Sequence, residues 1–322
     1  MRALVTGAAG FIGAHVVAAL AAAGAEVRAF DRRAPDGLPG GAEPVAGDVL
    51  DRDAVARALD GCDAVFHLAA VYSYARRDAG LMRAVNVDGT RVVLDAASRG
   101  GTRRRIVHTS SCATCGPVAG RAATEADHPP AWELAVPYKR TKLDGEALAL
   151  RAAAEGLDVV VVNPTAPVGP GDRRPTPTGK MVADVAAGRA RAHLAGSVLN
   201  VVAVEDVAAG HVRAHERGRA GERYLLGGEN LAMRDAFAAV ATAAGLRPPR
   251  VAIPWTAAYA AARIADAALR PLGREPSLLV LDEVRLARLP MAFDDAKARR
   301  ELGHRSRPAV QALAAAARAA TG

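Results

Sequence analysis

Lysine is scarce in this chain. Of 42 basic residues only four are lysines, Lys139, Lys142, Lys180 and Lys297, and arginine supplies the rest. Aromatic residues make up only 4%, and the 322 residues include just three cysteines, Cys62, Cys112 and Cys115. An odd set of thiols in a chain this long excludes a disulfide-stapled miniprotein and suits a reducing compartment, so a cytoplasmic protein is expected. The opening run, Arg2-Ala3-Leu4-Val5-Thr6, reads as a strand. It lacks the charged start, apolar stretch and cleavage site of a secretion signal, and export is not expected. The longest weakly polar stretch, 253–269, is interrupted by Arg263 and Asp266. It falls short of the roughly 20 apolar residues that a bilayer span needs, so a packed helix is expected there and no transmembrane segment. There is also no tandem repeat, heptad run or long low-complexity linker.

What is present is a chain 51% hydrophobic, enough for a sizeable core, with a net charge of +8. That charge admits nucleic acid, an anionic membrane surface or a phosphate-bearing small molecule as partner, without choosing among them. The one short basic run, Arg103-Arg104-Arg105, reads as a solvated loop, so nucleic acid is not expected and a small-molecule substrate is. Short β-branched runs at 3–6, 26–31, 64–68, 105–109 and 159–163 alternate with alanine-rich helical patterns at 12–23, 51–59, 79–98 and 138–154. Several of these helices stop at glycine, as at Gly24, Gly61, Gly100 and Gly156. Repeated βα units of this form predict an α/β fold with a doubly wound parallel sheet of the Rossmann type. After Pro164 the texture changes, with Gly169-Pro170-Gly171-Asp172 and Pro175-Thr176-Pro177-Thr178-Gly179 punctuating the chain. A core at 1–164 is therefore expected, followed at 165–322 by a smaller, discontinuous region with some segments, about 199–220, returning to the core.

Thr6-Gly7-Ala8-Ala9-Gly10-Phe11-Ile12-Gly13 lies between the first strand and the first helix. A tight strand-to-helix turn needs Gly7, close approach of a pyrophosphate favours Gly10, and helix-to-strand packing favours Gly13. The helix N-terminus that follows presents unpaired N–H groups to phosphate. The second strand ends at Asp31, placed to bind an adenosine ribose hydroxyl, which favours NAD. Arg32 and Arg33 beside it keep NADP possible, because guanidinium groups suit a ribose phosphate. Asp48 and Val49, after the next strand candidate, are placed to meet the adenine amino group and its face. This assigns the 1–164 core to dinucleotide binding and 165–322 mainly to substrate.

Tyr138 and Lys142 stand one helical turn apart on one face, just after Pro137. A free tyrosine, with a pKa of about 10, is a poor base at neutral pH, and a nearby ammonium is expected to lower it toward the useful range. In a chain so poor in lysine, this spacing is hard to reach by accident. A hydroxyl partner is expected from the strand end at Thr109-Ser110-Ser111, where open α/β sheets place their ligands; Ser111 is preferred and Ser110 competes.

Together with 66–70 (Phe-His-Leu-Ala-Ala), 86–90 (Asn-Val-Asp-Gly-Thr), Asn163-Pro164 and the late 293–297 and 301–303 segments, these motifs stand in the order of the extended short-chain dehydrogenase/reductase family, which the chain resembles nearly end to end. Within that family it is similar to the hopanoid-associated sugar epimerase group, through 163–170, 175–179, 206–211 and 221–230. The resemblance implies an NAD(P)-dependent enzyme in which Tyr138 is the general acid/base, Lys142 binds the nicotinamide ribose and lowers the tyrosine pKa, and Ser111 holds the substrate oxygen. It implies further that Gly7, Gly10, Phe11, Ile12, Gly13, Leu68, Ala69, Ala70, Thr109 and Pro164 border the dinucleotide, that Asn86 supports the site from its helix, and that the protein is a homodimer.

The sequence departs from the nucleotide-sugar members at two places. Ala166 stands where they commonly carry asparagine, and Leu199-Asn200 where they often carry a phosphate-binding arginine. Both changes remove diphosphate contacts, leaving Arg173 or Arg174 as substitutes. An epimerase acting on a secondary alcohol or carbonyl of a sugar-like substrate is therefore weighed against a carbonyl or aldehyde reductase resembling the dihydroflavonol reductases, and against a non-catalytic dinucleotide sensor. Cys112 and Cys115 form a C-x-x-C with no second pair, so no metal site is expected. His67 and His108 are read as packed side chains, and Tyr72 and Tyr74 either line the pocket or serve core or lid packing.

Overall fold

The computed structural model describes residues 1–35, 37–99, 104–173, 175–269, 271 and 280–321. Gly100, Arg103 and Arg174 lie outside the described residues. In the first half, β1 (Arg2–Thr6), α1 (Phe11–Ala22), β2 (Glu26–Asp31), β3 (Glu43–Ala46), α2 (Arg52–Leu59) and β4 (Ala64–His67) lead to α3 (Ala79–Arg83), α4 (Thr90–Ser98), β5 (Arg105–Thr109), α5 (Pro137–Ala154) and β6 (Val159–Pro164). Then follow β7 (Ala166–Val168), α6 (Pro177–Ala186), β8 (Ala192–Leu194), β9 (Val198–Ala203), α7 (Val204–Arg217), β10 (Arg223–Leu226), β11 (Glu229–Ala232) and α8 (Met233–Ala243). The chain ends with β12 (Val251–Ile253), α9 (Trp255–Leu269), α10 (Leu281–Leu286), α11 (Ala296–Leu302) and α12 (Ala309–Thr321).

Seven strands form one sheet in the order β10-β6-β5-β4-β1-β2-β3, and every pairing in it is parallel. A parallel sheet must be covered on both faces, which explains the uninterrupted valines of β6, all buried. Alternate residues serve opposite faces. Val107, Val160 and Val162 pack with α1 and α7 on one side, while Ile106, Val159 and Val161 pack with α2, α4 and α5 on the other. The helix expected over 79–98 is interrupted: a π-helical turn, Ala84–Gly89, separates α3 from α4. Gly145 of α5 packs directly on that turn, where an added Cβ would lie 2.5 Å from the Asn86 carbonyl oxygen.

Beyond β6 the chain divides its loyalties. β10 joins the edge of the large sheet, and α7 and α11 pack against it. The other segments form a lobe in which β9 pairs with β7 and β11, and α6, α8 and α12 bury its apolar face through Val182, Val185, Phe237, Val240 and Leu313. α9 and α10 pack against each other beside the two-stranded β8–β12 sheet. Among the described residues no helix is long and apolar enough to cross a membrane.

Candidate active site

One cleft of about 440 Å³ opens over the C-terminal ends of the parallel strands, with residues of the second lobe forming its other side. Its floor begins at the glycine turn. Gly7 adopts φ +71°, and a side chain there would collide with the backbone of Ala69 at 2.7 Å. Gly13 is equally constrained, since a Cβ would lie 2.0 Å from the Gly7 carbonyl oxygen. The turn can press against both β4 and α1 only because these positions carry no side chain. No side chain caps the N-terminus of α1, so its first N–H groups stay available to an anion. Asp31, at the end of β2, accepts from the Ala9 N–H at 3.0 Å and from the Arg32 N–H at 2.8 Å, which fixes its carboxylate beside the turn. These features fit a dinucleotide.

Of the residues singled out in the sequence, Gly7, Gly10, Phe11, Ile12, Gly13, Leu68, Ala70, Thr109, Ser111, Tyr138, Lys142 and Pro164 line this cleft. Asp31, Arg32, Asp48 and Val49 are not on its wall but at the ends of β2 and β3, outside it. Arg32 is exposed, Asp48 accepts from the Leu50 N–H at 3.0 Å, and Val49 is buried against Gly89. The Ala69 N–H donates to Thr6 Oγ1 at 3.3 Å and holds β4 to β1. Asn86 is fully engaged elsewhere: its carboxamide pairs with both backbone groups of Val71, at 2.8 and 3.0 Å, and donates to Thr141 Oγ1 at 3.1 Å. It therefore ties the loop after β4 to α5.

Ser111, at the end of β5, and Tyr138, on the first turn of α5, meet directly. The phenol donates to Ser111 Oγ at 3.2 Å. The competing Ser110 also lines the cleft, but its hydroxyl makes no hydrogen bond among the described residues. Lys142 is buried and donates to the Thr109 carbonyl oxygen at 2.8 Å; burial pushes its pKa down to about 8. Tyr138 corrects the expected electrostatics. Burial raises its phenol above the ordinary value, the Ser111 hydrogen bond opposes that rise, and Cys112 adds to it. The expected lowering by Lys142 is not found, because the amine is directed to the Thr109 carbonyl.

Three further features were weakly legible or illegible in the sequence. Tyr72 stacks on Tyr138, with ring centroids 4.2 Å apart and planes at 29°, and its hydroxyl lies 3.1 Å from that of Tyr74. Both tyrosines line the cleft, which decides between the two readings left open for them. Behind Ser111, the buried Glu146 carboxylate accepts from Thr114 Oγ1 at 2.7 Å, Asn163 Nδ2 at 2.7 Å and Arg223 Nη1 at 2.8 Å. Asn163 Nδ2 also lies 3.1 Å from the Ser111 carbonyl oxygen, so this network holds the strand end that carries Ser111. Glu146 stands one turn beyond Lys142 on α5, a spacing visible in the sequence. Arg223, contributed by β10, gave no such signal. Lys139, on the same helix, is buried and bound to Glu133 and the Gly116 carbonyl oxygen.

The remaining candidates are structural. His67 joins Thr6 Oγ1 at 2.8 Å to Thr90 Oγ1 at 3.0 Å, and burial pushes its pKa down to about 3. His108 is buried beside it and likewise pushed down. Burial raises both Cys112 and Cys115, which are free thiols, and Cys115 packs against Ala123, Leu225 and Phe293. Arg173 does not line the cleft.

The pattern of the NAD dependent epimerase/dehydratase family matches residues 3–227. The chain is 38% identical over 318 residues to a putative dihydroflavonol 4-reductase of Synechocystis sp. (strain ATCC 27184 / PCC 6803 / Kazusa), covering 96% of this chain and 92% of that protein. It is also 38% identical over 314 residues to sterol demethylase protein B of Methylococcus capsulatus (strain ATCC 33009 / NCIMB 11132 / Bath), covering 94% and 93%. Among solved structures, gox2253 superposes with a TM-score of 0.85 at 37% identity, covering 99% of this chain and 97% of that one. The fold, the glycine turn and these matches agree: the chain belongs to the NAD-dependent epimerase/dehydratase family, within the extended short-chain dehydrogenase/reductases.

Proposed function

We propose that the protein is an NAD-dependent oxidoreductase that interconverts a secondary alcohol and a carbonyl compound, with Ser111, Tyr138 and Lys142 as the acting side chains. The observation that carries this reading is the Ser111–Tyr138 hydrogen bond inside the cleft that also contains Lys142 and the glycine turn. A carbonyl oxygen placed between the two hydroxyls accepts a hydrogen bond from each. Because burial keeps Tyr138 protonated at neutral pH, the phenol is suited to donate its proton to that oxygen as it gains charge. Ser111 orients the oxygen, and Lys142, held by the Thr109 carbonyl, is the residue that would bind the nicotinamide ribose. Bound dinucleotide supplies the hydride to the carbonyl carbon in reduction and accepts it in the reverse direction.

In this reading residues 1–164 hold the dinucleotide, and residues 165–322 mainly hold the substrate, with the segment about 199–220 returning to the core. Asp31 favours NAD over NADP, and Arg32 is the residue through which NADP would be accepted. The protein is expected to act as a homodimer, which sedimentation of the purified chain tests.

The similarity to a putative dihydroflavonol 4-reductase favours net reduction over epimerisation. The decisive measurement is stoichiometry with purified protein: net consumption of reduced dinucleotide supports the reductase, and isomerisation without consumption supports the epimerase. Tyr138→Phe should lose turnover by about a thousandfold or more while still binding NAD. Unchanged turnover in that variant sinks the assignment.

A further inference from the structure

Three of the chain's five methionines, Met181, Met233 and Met291, lie far apart in sequence, on α6, at the start of α8 and after α10. All three line the cleft opposite the glycine turn, together with Leu194, Leu199 and Phe293. Met181, Met233 and Leu199 rest on the α6–α8–α12 cluster, Leu194 on the α9–α10 cluster, and Met291 packs beside Cys115 and Phe293, while the N–H groups of Met233 and Met291 donate to the Ser197 and Val198 carbonyl oxygens at the start of β9. Thioether side chains converging from distant parts of the chain make a deformable apolar wall, because methionine is unbranched and polarisable.

Away from the glycine turn, charge is arranged against a phosphorylated substrate. All but four of the 42 basic residues are arginines, yet among the described residues no arginine lines the cleft. Its two lysines are committed, Lys142 to the Thr109 carbonyl oxygen and Lys139 to Glu133 and the Gly116 carbonyl oxygen. The one acidic residue on the wall, Glu283, would repel an anion. A substrate diphosphate placed against the methionine wall, away from the glycine turn, would lose its hydration without gaining charged donors, which is costly. Among the polar side chains on this wall, Ser197 Oγ is buried and has no hydrogen-bond partner among the described residues.

Resting on the hydride-transfer reading above, we infer that the substrate is an uncharged, bulky apolar alcohol or ketone, not a nucleotide sugar, its reacting oxygen at Ser111 and Tyr138 and its apolar frame against the methionine wall. Ser197 is placed to take a second hydroxyl on that frame.

The test separates binding from turnover. Calorimetry on NAD-loaded Tyr138→Phe, titrated with cyclohexanone, decalone and dihydrotestosterone, should show affinity rising with ring number, by about a hundredfold from first to last, as expected for progressive apolar burial. UDP-glucose and UDP should show no binding at millimolar concentration. Met233→Lys should weaken dihydrotestosterone by about tenfold or more with NAD affinity intact, and Met233→Leu should retain it. Tighter binding of UDP-glucose than of the steroid, or affinity that ignores ring number, overturns the inference. If the steroid binds as expected but wild-type protein with reduced dinucleotide leaves all three ketones unreduced, the ligand class stands and the hydride-transfer reading fails.

Discussion

At the glycine-turn end, the cleft is shaped by backbone. Gly7 and Gly13 bring β1, β4 and α1 so close that a Cβ has no room, and the α1 N-terminus carries no capping side chain. At the far end the wall is made of side chains, three of them methionines, delivered by elements that are distant in sequence. The first surface tolerates no variation in atom position, while the second adapts by rotamer change. A site divided in this way keeps one ligand chemistry constant and leaves the other open to change.

The rigidity of the glycine-turn end is tested most severely at Gly13. Gly13→Val places atoms on the Gly7 carbonyl oxygen, so NAD affinity should fall beyond detection by calorimetry and Tm should drop by several degrees. NAD binding at wild-type strength would show that the turn is not the rigid end. Glu146→Ala comes next. It leaves Arg223 buried without its carboxylate and frees Asn163 from one partner, a loss of about 3–5 kcal/mol by analogy with broken buried pairs, readable by urea unfolding. The same variant should lower turnover, because the strand end carrying Ser111 loses its anchor.

A smaller effect follows from pH. His67, beneath the glycine turn, is held to about 3, and His211, bonded to Thr109 Oγ1, to about 4, while both take ordinary values near 6.5 once unfolded. Between those limits the unfolded chain binds more protons than the folded one. Stability from these groups is therefore full above about pH 6.5 and is lost as pH falls toward 4. Tm measured at pH 7.5 and pH 5 should fall at the lower pH, and His67→Gln should flatten that fall. The mildest perturbation is Met181→Leu, which keeps volume and apolarity: Tm should shift by about 1 °C or less and NAD affinity should not change, leaving only substrate KM to move. A large loss of NAD binding in that variant would mean that the two ends are not independent.

The legibility of the two ends differs for a physical reason. The glycine spacing, Asp31, and Tyr138 with Lys142 are local features, each fixed by a single turn of chain, and all stand beside the cleft or on its wall. The alternation of strands in the first half was equally plain, because a parallel sheet buried on both faces demands continuous apolar runs. The π-helical turn over Ala84–Gly89 was not, since its sequence is that of an ordinary helix and only the close approach of Gly145 distinguishes it. Nor was the protonation of Tyr138. The i,i+4 spacing suggested a lowered pKa, but burial and the direction in which Lys142 points outweigh it.

By itself, the sequence determined the nucleotide-binding architecture and the pairing of a tyrosine with a lysine, because these depend on backbone conformation and helical period over short stretches. Only the tertiary structure decided that Ser111 rather than Ser110 meets the phenol, that Arg223 reaches Glu146 from across the sheet, and that three scattered methionines share one wall. These residues stand tens to more than a hundred positions apart, and long-range packing brings them together where no local period can.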